Sequence, residues 1–422
     1  MDSSSEAPLL LSRGNEHKEV PDVAGGKRPW WREAAEESGR LAALAAPMIA
    51  VALLQLLMQL ISTVMVGHLG EVALAGAAIA NSLTNVSGFS VLIGLACGLE
   101  TICGQAYGAE QYHKLSLYTY RSIIVLLIVS VPIAIVWVFI PEVLPLIVGM
   151  GNAGAALSVS ICDWVEVIVL GLYIKFSPSC EKTRAPLTWE AFKGIGSFMR
   201  LAVPSALMIC LEWWSYELLV LLSGILPNPA LETSVLSICI STVVLLYNLP
   251  YGIGTAASVR VSNELGAGNP EGARLVVGVA LSIVVCSAIL VSTALLALRH
   301  FIGIAFSNEE EVVDYVTRMV PVLSISVITD SFQGVLSGVS RGCGWQHLGA
   351  YVNLGAFYLV GIPVALFFGF TMQLRGMGFW IGMIAGGATQ VTLLSVITAT
   401  TKWDKMADKA KERVFEDRLP TQ

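Results

Sequence analysis

The stretch CLEWWSYELLVLLSG, residues 210–224, combines a strongly apolar run with two carboxylates, Glu212 and Glu217. An apolar stretch of about 20 residues is long enough to cross a bilayer as a helix. A carboxylate at the centre of such a helix costs about 2.5–3.5 kcal/mol on insertion scales, and it normally faces a bundle interior or a water-filled cavity. The stretch therefore predicts a membrane helix whose acidic groups serve a function.

The composition of the whole chain supports a membrane protein. Of its 422 residues, 55% are hydrophobic and 13% are charged, whereas soluble domains carry about 25% charged residues. The eight cysteines form no CxxC pair and no Cys/His cluster, so we expect neither a disulfide framework nor a bound metal. We predict an all-α polytopic membrane protein that is not an enzyme, needs no cofactor and binds no nucleic acid.

Ten apolar stretches are long enough to span a bilayer. They lie at 41–66, 73–104, 119–140, 152–176, 197–226, 232–258, 275–299, 313–340, 347–371 and 376–401. Lysine and arginine concentrate in both tails and in alternate loops, including Arg260 after span six and Arg341 after span eight, so both termini are predicted to be cytoplasmic. The predicted organisation is a disordered tail (1–40), a truncated bundle of four helices (41–176), a cytoplasmic linker (177–196), a six-helix bundle (197–401) and a cytoplasmic tail (402–422).

An internal repeat explains the unequal bundles. Gly108 and Gly266 align in the segments GQAYGAEQ and SNELGAGN at an offset of 158 residues, whereas Gly154 and Gly378 align at an offset of 224. The offset therefore grows by 66 residues, which in the second half hold two spans. Either the first half lacks a segment, or the chain has an authentic arrangement of four plus six helices.

Several segments together resemble one family of transporters. They are MVGHLGEVALAGAAIANSLTN (65–85), GLETICGQAYGA (98–109), CLEWWSYE (210–217), VSNELGAGNP (261–270), SGVSRGCGWQHLGAYVNLGAFYLVGIP (337–363) and LRGMGFWIG (374–382). The chain resembles the multidrug and toxic compound extrusion (MATE) transporters, in particular the plant DETOXIFICATION branch. The resemblance implies two six-helix bundles, of which this chain lacks the fourth and fifth helices, and export of organic cations, xenobiotics or plant secondary metabolites by proton antiport. The alternative is a non-transporting truncated form, either defective or acting through full-length copies.

Three intramembrane acids are the candidate proton and substrate groups. Glu212 and Glu217 lie five positions apart, about 140° around a helix, so they face different ways. Asp330 lies mid-span in SVITDSFQGVLSG. The resemblance implies that Glu212 is the main proton and substrate carboxylate, that Asp330 faces the same cavity, and that Glu217 binds substrate or supports the helix. A structural acid satisfied by a neighbouring helix is the alternative for Glu212 and Glu217, and a structural role capping local backbone groups is the alternative for Asp330.

Further polar residues are candidates for lining the cavity. They are Asn85, Tyr216, Tyr247, Asn248, Tyr251 and Gln333. The alternative is plain packing for Tyr247, Asn248 and Tyr251, and an interhelical hydrogen bond for Asn85. Asp163 and Glu166 share a face of the span that follows the apparent gap, and a structural role is the leading interpretation for both.

The expected partners are a small molecule (an organic cation or a phenolic compound), protons and the lipid bilayer, and we expect a monomer. Glu6 with Leu10 and Leu11 fits an acidic dileucine sorting signal, which favours the vacuolar over the plasma membrane. A chance apolar triplet in a polar tail explains this motif equally well.

Overall fold

The computed structural model describes residues 29–67, 81–143, 151–307 and 309–416, and within these ranges the chain is helical, without strands. The first bundle contains α1 (Trp30–Gly67), α2 (Ser90–Gly108, preceded by the π-helical turn Asn85–Phe89), α3 (Tyr112–Val143) and α4 (Gly151–Phe176). The second contains α5 (Ile195–Ser223), α6 (Pro229–Gly266), α7 (Pro270–Ala297), α8 (Arg299–Phe306), α9 (Glu310–Cys343), α10 (Gln346–Asn353), α11 (Ile362–Leu366) and α12 (Arg375–Thr400), and α13 (Trp403–Glu416) follows. The π-helical segments Leu354–Gly361 and Phe367–Thr371 join α10 and α11 into one span.

The predicted all-α polytopic architecture is confirmed. Within the described ranges, nine helical segments are long and apolar enough to cross a membrane, and α4 is a helix at the position of the remaining predicted span. Residues 73–80 of the second predicted span, residues 417–422, and residues 1–28 with the motif at Glu6, Leu10 and Leu11 lie outside the described residues.

Helix α1 begins at Trp30, ahead of the predicted boundary at residue 41, so residues 30–40 are helical and not a disordered tail. Glu37 is the reason, since its carboxylate accepts hydrogen bonds from Arg260 Nε at 2.7 Å and Nη2 at 2.9 Å. Leu41 is buried against the second bundle one turn later. Tertiary contacts therefore order a polar segment that its composition alone would leave unstructured.

In the second bundle, helices touch at glycines. A Cβ atom on Gly338 of α9 would overlap the carbonyl oxygen of Gly254 on α6, so the two backbones are in direct contact. A Cβ on Gly382 of α12 would likewise overlap the Ala365 nitrogen of α11. Small residues allow such close approach between membrane helices, and this contact fixes how α9 presents its polar residues to the interior.

The first bundle meets the second along α2, which packs against α5. A Cβ on Gly94 would overlap Ala206 Cα, and one on Gly98 would lie 2.8 Å from Ala202 Cα. Helix α4, in contrast, packs mainly against α1 and the start of the linker among the described elements, and its large apolar side chains from Trp164 to Phe176 are 49–69% exposed. This helix has the surroundings expected if two neighbouring helices are missing.

The predicted linker and the last helix pack back onto the bundles. Tyr120 of α3 donates to the Ala185 carbonyl of the linker at 2.9 Å. Helix α13 buries Met406, Ala407, Ala410 and Val414 against its neighbours, and Lys114 donates to the Val414 carbonyl. Helix α13 (Trp403–Glu416) is therefore a docked amphipathic helix.

Candidate functional site

The second bundle brings two of the predicted acids together in its interior. Glu212 projects from α5 and is half-buried, whereas Asp330 projects from α9 and is 7% exposed. The two carboxyl groups lie within electrostatic range of each other. Tyr216 and Tyr247 stand near both acids, so four of the predicted residues converge on one place.

Each of the three helices that carry these four residues contains an interior proline. These are Pro204 in α5, Pro250 in α6 and Pro321 in α9. An interior proline removes one backbone hydrogen bond and favours a bend. The site is therefore held by helices that can flex.

Amide side chains surround the Glu212 carboxylate. Gln333 and Gln390 lie beside it, and Gln390 Nε2 donates to Asn353 Oδ1 at 2.7 Å. Asn353 Nδ2 in turn donates to the Met208 carbonyl at 2.7 Å, one helical turn before Glu212. This chain of hydrogen bonds fixes the orientation of Gln390 and ties α12 to α5.

Several buried polar atoms in this region make no hydrogen bond within the described part of the chain. They are Asp330 Oδ2, Gln333 Nε2 and Gln390 Oε1. A buried polar group without a partner costs about 1–3 kcal/mol, and a bound water, an ion or a catalytic role is among the explanations for such a group. The interior therefore has free hydrogen-bonding capacity next to two carboxyl groups.

A cavity of about 10 Å³ lies beside Tyr216, lined by apolar residues that include Leu236, Phe379 and Met383. That volume holds about one water molecule. A bulky substrate at this place would therefore require α5, α6 and α12 to move apart.

The remaining predicted residues point elsewhere. Glu217 accepts a hydrogen bond from Ser82 Oγ at 2.6 Å and so joins α5 to the first bundle, in agreement with the angle of about 140° between it and Glu212. Asn248 Nδ2 donates to the Val244 carbonyl of its own helix at 3.0 Å. Tyr251 is 37% exposed and stacks loosely on Tyr247, with ring centroids 6.2 Å apart.

Asn85, in contrast, is the half-buried first residue of the π-helical turn before α2. Asp163 and Glu166 of the first bundle likewise form no interior site. Asp163 is exposed on α4, and Glu166 accepts a hydrogen bond from Gln55 Nε2 of α1 at 3.3 Å. No group of three His, Cys, Asp or Glu side chains suited to a metal ion occurs in the described ranges.

Sequence reasoning missed four residues near the site: Asn353, Gln390, Glu100 and Arg341. Arg341 counted as a loop charge because it adjoins Gly-Cys-Gly, yet it lies inside α9, is 5% exposed and pairs with Glu100 at 3.0 Å. Arg260 is likewise inside α6 and paired with Glu37. A lone amide in an apolar run, as in ATQVTLL around Gln390, was the available signal for the first two.

A two-bundle helical membrane protein with acids in a bundle interior is organised as a secondary transporter. The MatE family model matches residues 47–179 and 204–367, and the chain belongs to this family of transporters. It is 44% identical to Protein DETOXIFICATION 12 of Arabidopsis thaliana over 442 positions, covering 90% of this chain and 92% of the relative. It is 43% identical to Protein DETOXIFICATION 14 of the same plant over 481 positions, covering 99% and 97%.

Solved structures agree with this assignment. The crystal structure of the eukaryotic MATE transporter AtDTX14 superposes with a TM-score of 0.86 at 43% identity, covering 92% of this chain and 100% of that one. The Vibrio cholerae MATE transporter VcmN in its bent form superposes with a TM-score of 0.67 at 14% identity, covering 90% of this chain and 99% of that one, and so shares the fold.

The alignment with DETOXIFICATION 12 also bears on the internal gap. It has 442 positions but takes in 90% of 422 residues, about 380, which leaves about 60 positions without a counterpart in this chain. That deficit is close to the 66-residue step in the internal repeat.

Proposed function

We propose that this chain is a proton-coupled antiporter that exports organic cations, xenobiotics or plant secondary metabolites, with Glu212 as the exchanging acid. The observation that carries the proposal is that Glu212 and Asp330 lie within electrostatic range of each other inside the second bundle, beside buried polar atoms that lack hydrogen-bond partners. We further propose that the chain acts as a monomer in the vacuolar membrane with both termini in the cytoplasm.

The free-energy cost of a charged carboxylate inside the membrane explains why a proton and a substrate would exchange at this group. In an apolar interior the charged form of a carboxyl is disfavoured unless a cation or a proton neutralises it. Proton and cationic substrate compete for the same group, so proton binding from the acidic side releases the substrate. Facing the cytoplasm, the group loses its proton and accepts substrate again. Rocking of the two bundles alternates the access.

The neighbouring residues receive distinct roles. Asp330 supplies a second acid, and Gln333 and Gln390 offer amide groups that can bond either to the carboxylates or to a bound ligand. Tyr216 and Tyr247 provide aromatic faces, which attract organic cations. Glu217 supports α5 through its bond to Ser82.

Replacement of Glu212 by Gln tests this assignment. In vesicles with an imposed pH gradient, Glu212→Gln should abolish uptake of a fluorescent organic cation, because an amide cannot exchange a proton. Glu217→Gln is the matched control on the same helix and should retain most of the uptake. Uptake by Glu212→Gln at the rate of the unmodified chain would exclude Glu212 as the coupling acid.

A second candidate function is a non-transporting form that acts through full-length relatives. The exposure of the large apolar side chains from Trp164 to Phe176 of α4 favours it, since this part of the helix has room for neighbours from another chain. Co-expression of the chain with a full-length transporter distinguishes the two functions. A non-transporting partner would co-purify with the transporter and alter its uptake, whereas an independent antiporter would transport alone.

A further inference from the structure

A buried ion pair joins the two bundles at the end of the molecule where α2 and α9 terminate. Arg341 Nε of α9 donates to Glu100 Oε2 of α2 at 3.0 Å, across 241 positions of sequence. The side chains are 6% and 18% exposed.

Uncharged hydrogen bonds surround this pair. Thr101 Oγ1 of α2 donates to the Arg341 carbonyl at 2.5 Å, and Gln346 Nε2 of α10 donates to Thr101 Oγ1 at 2.5 Å. Gln105 Nε2, one turn further along α2, donates to the Gly342 carbonyl at 3.4 Å. The end of α2 is thus bonded to the end of α9 and the start of α10.

Helix α13 braces the same junction. Gly344 ends α9 in the left-handed conformation at φ +78°, and the last carbonyls of a helix have no partner within the helix itself. Arg413 of α13 donates to the Cys343 carbonyl at 3.2 Å and to Gln105 Oε1 at 3.5 Å. One side chain therefore contacts both bundles.

A second ion pair has the same polarity. Glu37 of α1 pairs with Arg260 of α6 at 2.7 Å, so at both places the first bundle supplies the acid and the second supplies the base. Replacing a buried ion pair by apolar residues is often neutral or stabilising, so stability alone is a weak reason to keep one. Water can solvate both charges once the bundles separate, which suits a contact that opens and closes.

We propose that the Glu100–Arg341 ion pair is the latch of a gate, which holds the bundles together at this end and opens in each transport cycle, with α13 as its brace. The inference rests on the proposed function, because only a transporter has to separate its bundles. Arg341 is a positioning residue in this scheme and contacts no substrate.

Two native cysteines report on the gate. Cys97 lies on α2 one turn before Glu100, is 5% exposed and adjoins both members of the pair. Cys239 is fully buried on α6, about 18 Å along that helix, at 1.5 Å per residue, from Tyr251, which lies near Cys97 and Glu100. Opening of the latch should admit a small reagent to Cys97 and leave Cys239 protected.

The experiment measures N-ethylmaleimide labelling of the purified full-length chain by peptide mass spectrometry, without substrate or pH gradient. Glu100→Gln and Arg341→Gln should each raise the labelling rate of Cys97 about tenfold or more, the shift that about 1.4 kcal/mol produces in an equilibrium. Both variants are needed because a nearby positive charge favours the reactive thiolate and a negative one disfavours it. Electrostatics without opening would therefore accelerate labelling in Glu100→Gln and slow it in Arg341→Gln.

Opposite changes in the two variants, or no change, would overturn the latch. An equal gain at Cys97 and Cys239 would also overturn it, since the pair would then hold the fold together. Arg375→Gln is the matched control because Arg375 pairs with Glu232 at 3.9 Å within the second bundle, and it should leave Cys97 protected. Failure of the proposed antiport would appear in the Glu212→Gln uptake experiment and not in this labelling.

Discussion

The two bundles differ in what their helices touch. In the second, α6 and α9 approach until their backbones meet at Gly254 and Gly338. In the first, α4 leaves its large apolar side chains from Trp164 to Phe176 49–69% exposed, and Gly171 has no neighbour within 4 Å of an added Cβ in the described part of the chain. Both regions are apolar enough to be membrane helices, so hydropathy identifies a span but does not say whether it has partners.

The largest difference in stability loss between the two bundles should come from substitutions of glycine. Gly338→Val should lower the free energy of unfolding by about 3 kcal/mol or more. Overpacking in a full core commonly costs about 1–3 kcal/mol, and here the added side chain would meet the backbone of Gly254, which cannot move aside as a side chain can. Gly171→Val on α4 should have little effect. Thermal unfolding of the purified variants in detergent measures both, and equal stability losses would show that α4 is packed as tightly as α9.

A smaller difference in stability loss is expected for substitutions of amide side chains, one in each bundle. Asn353→Leu should cost about 2 kcal/mol, because it removes the acceptor of Gln390 Nε2, which is then left unpaired in the interior, together with the bond to the Met208 carbonyl. Gln55→Leu, which removes the bond to the partly exposed Glu166, should cost about 0.6 kcal/mol, the average for polar contacts between membrane helices. Chemical denaturation in mixed micelles compares them, and a larger loss for Gln55→Leu would reverse the ranking.

The smallest effect should come from the acid on the exposed helix. Asp163→Asn should change the free energy of unfolding by no more than about 0.5 kcal/mol, as for a surface substitution. It should also leave the rate of cation uptake unchanged. Asp330→Asn should strongly reduce uptake, because its carboxyl shares the interior with Glu212. A matching loss of uptake in Asp163→Asn would place a functional acid in the first bundle.

Some of these features could be predicted from the sequence alone, and others could not. Apolar length predicted the spans, and the five-residue spacing predicted that Glu212 and Glu217 face apart, because both follow from the geometry of one helix. The start of α1 at Trp30 and the burial of Arg341 depend on Arg260 and Glu100, more than 200 residues away in the chain. Local composition carries no information about such partners, so polar residues that pair across bundles resemble tail or loop charges.

The most direct test of the proposal is uptake of a fluorescent organic cation, driven by a proton gradient, in vesicles that contain this chain. A second chain carries two helices inserted between Ile147 and Gly151, and Glu212→Gln is made in both. If the second bundle contains the coupling acid, both parent chains transport and both Glu212→Gln variants do not. Transport by either Glu212→Gln variant at the rate of its parent would contradict that role, and transport by the extended chain alone would identify this protein as the non-transporting form.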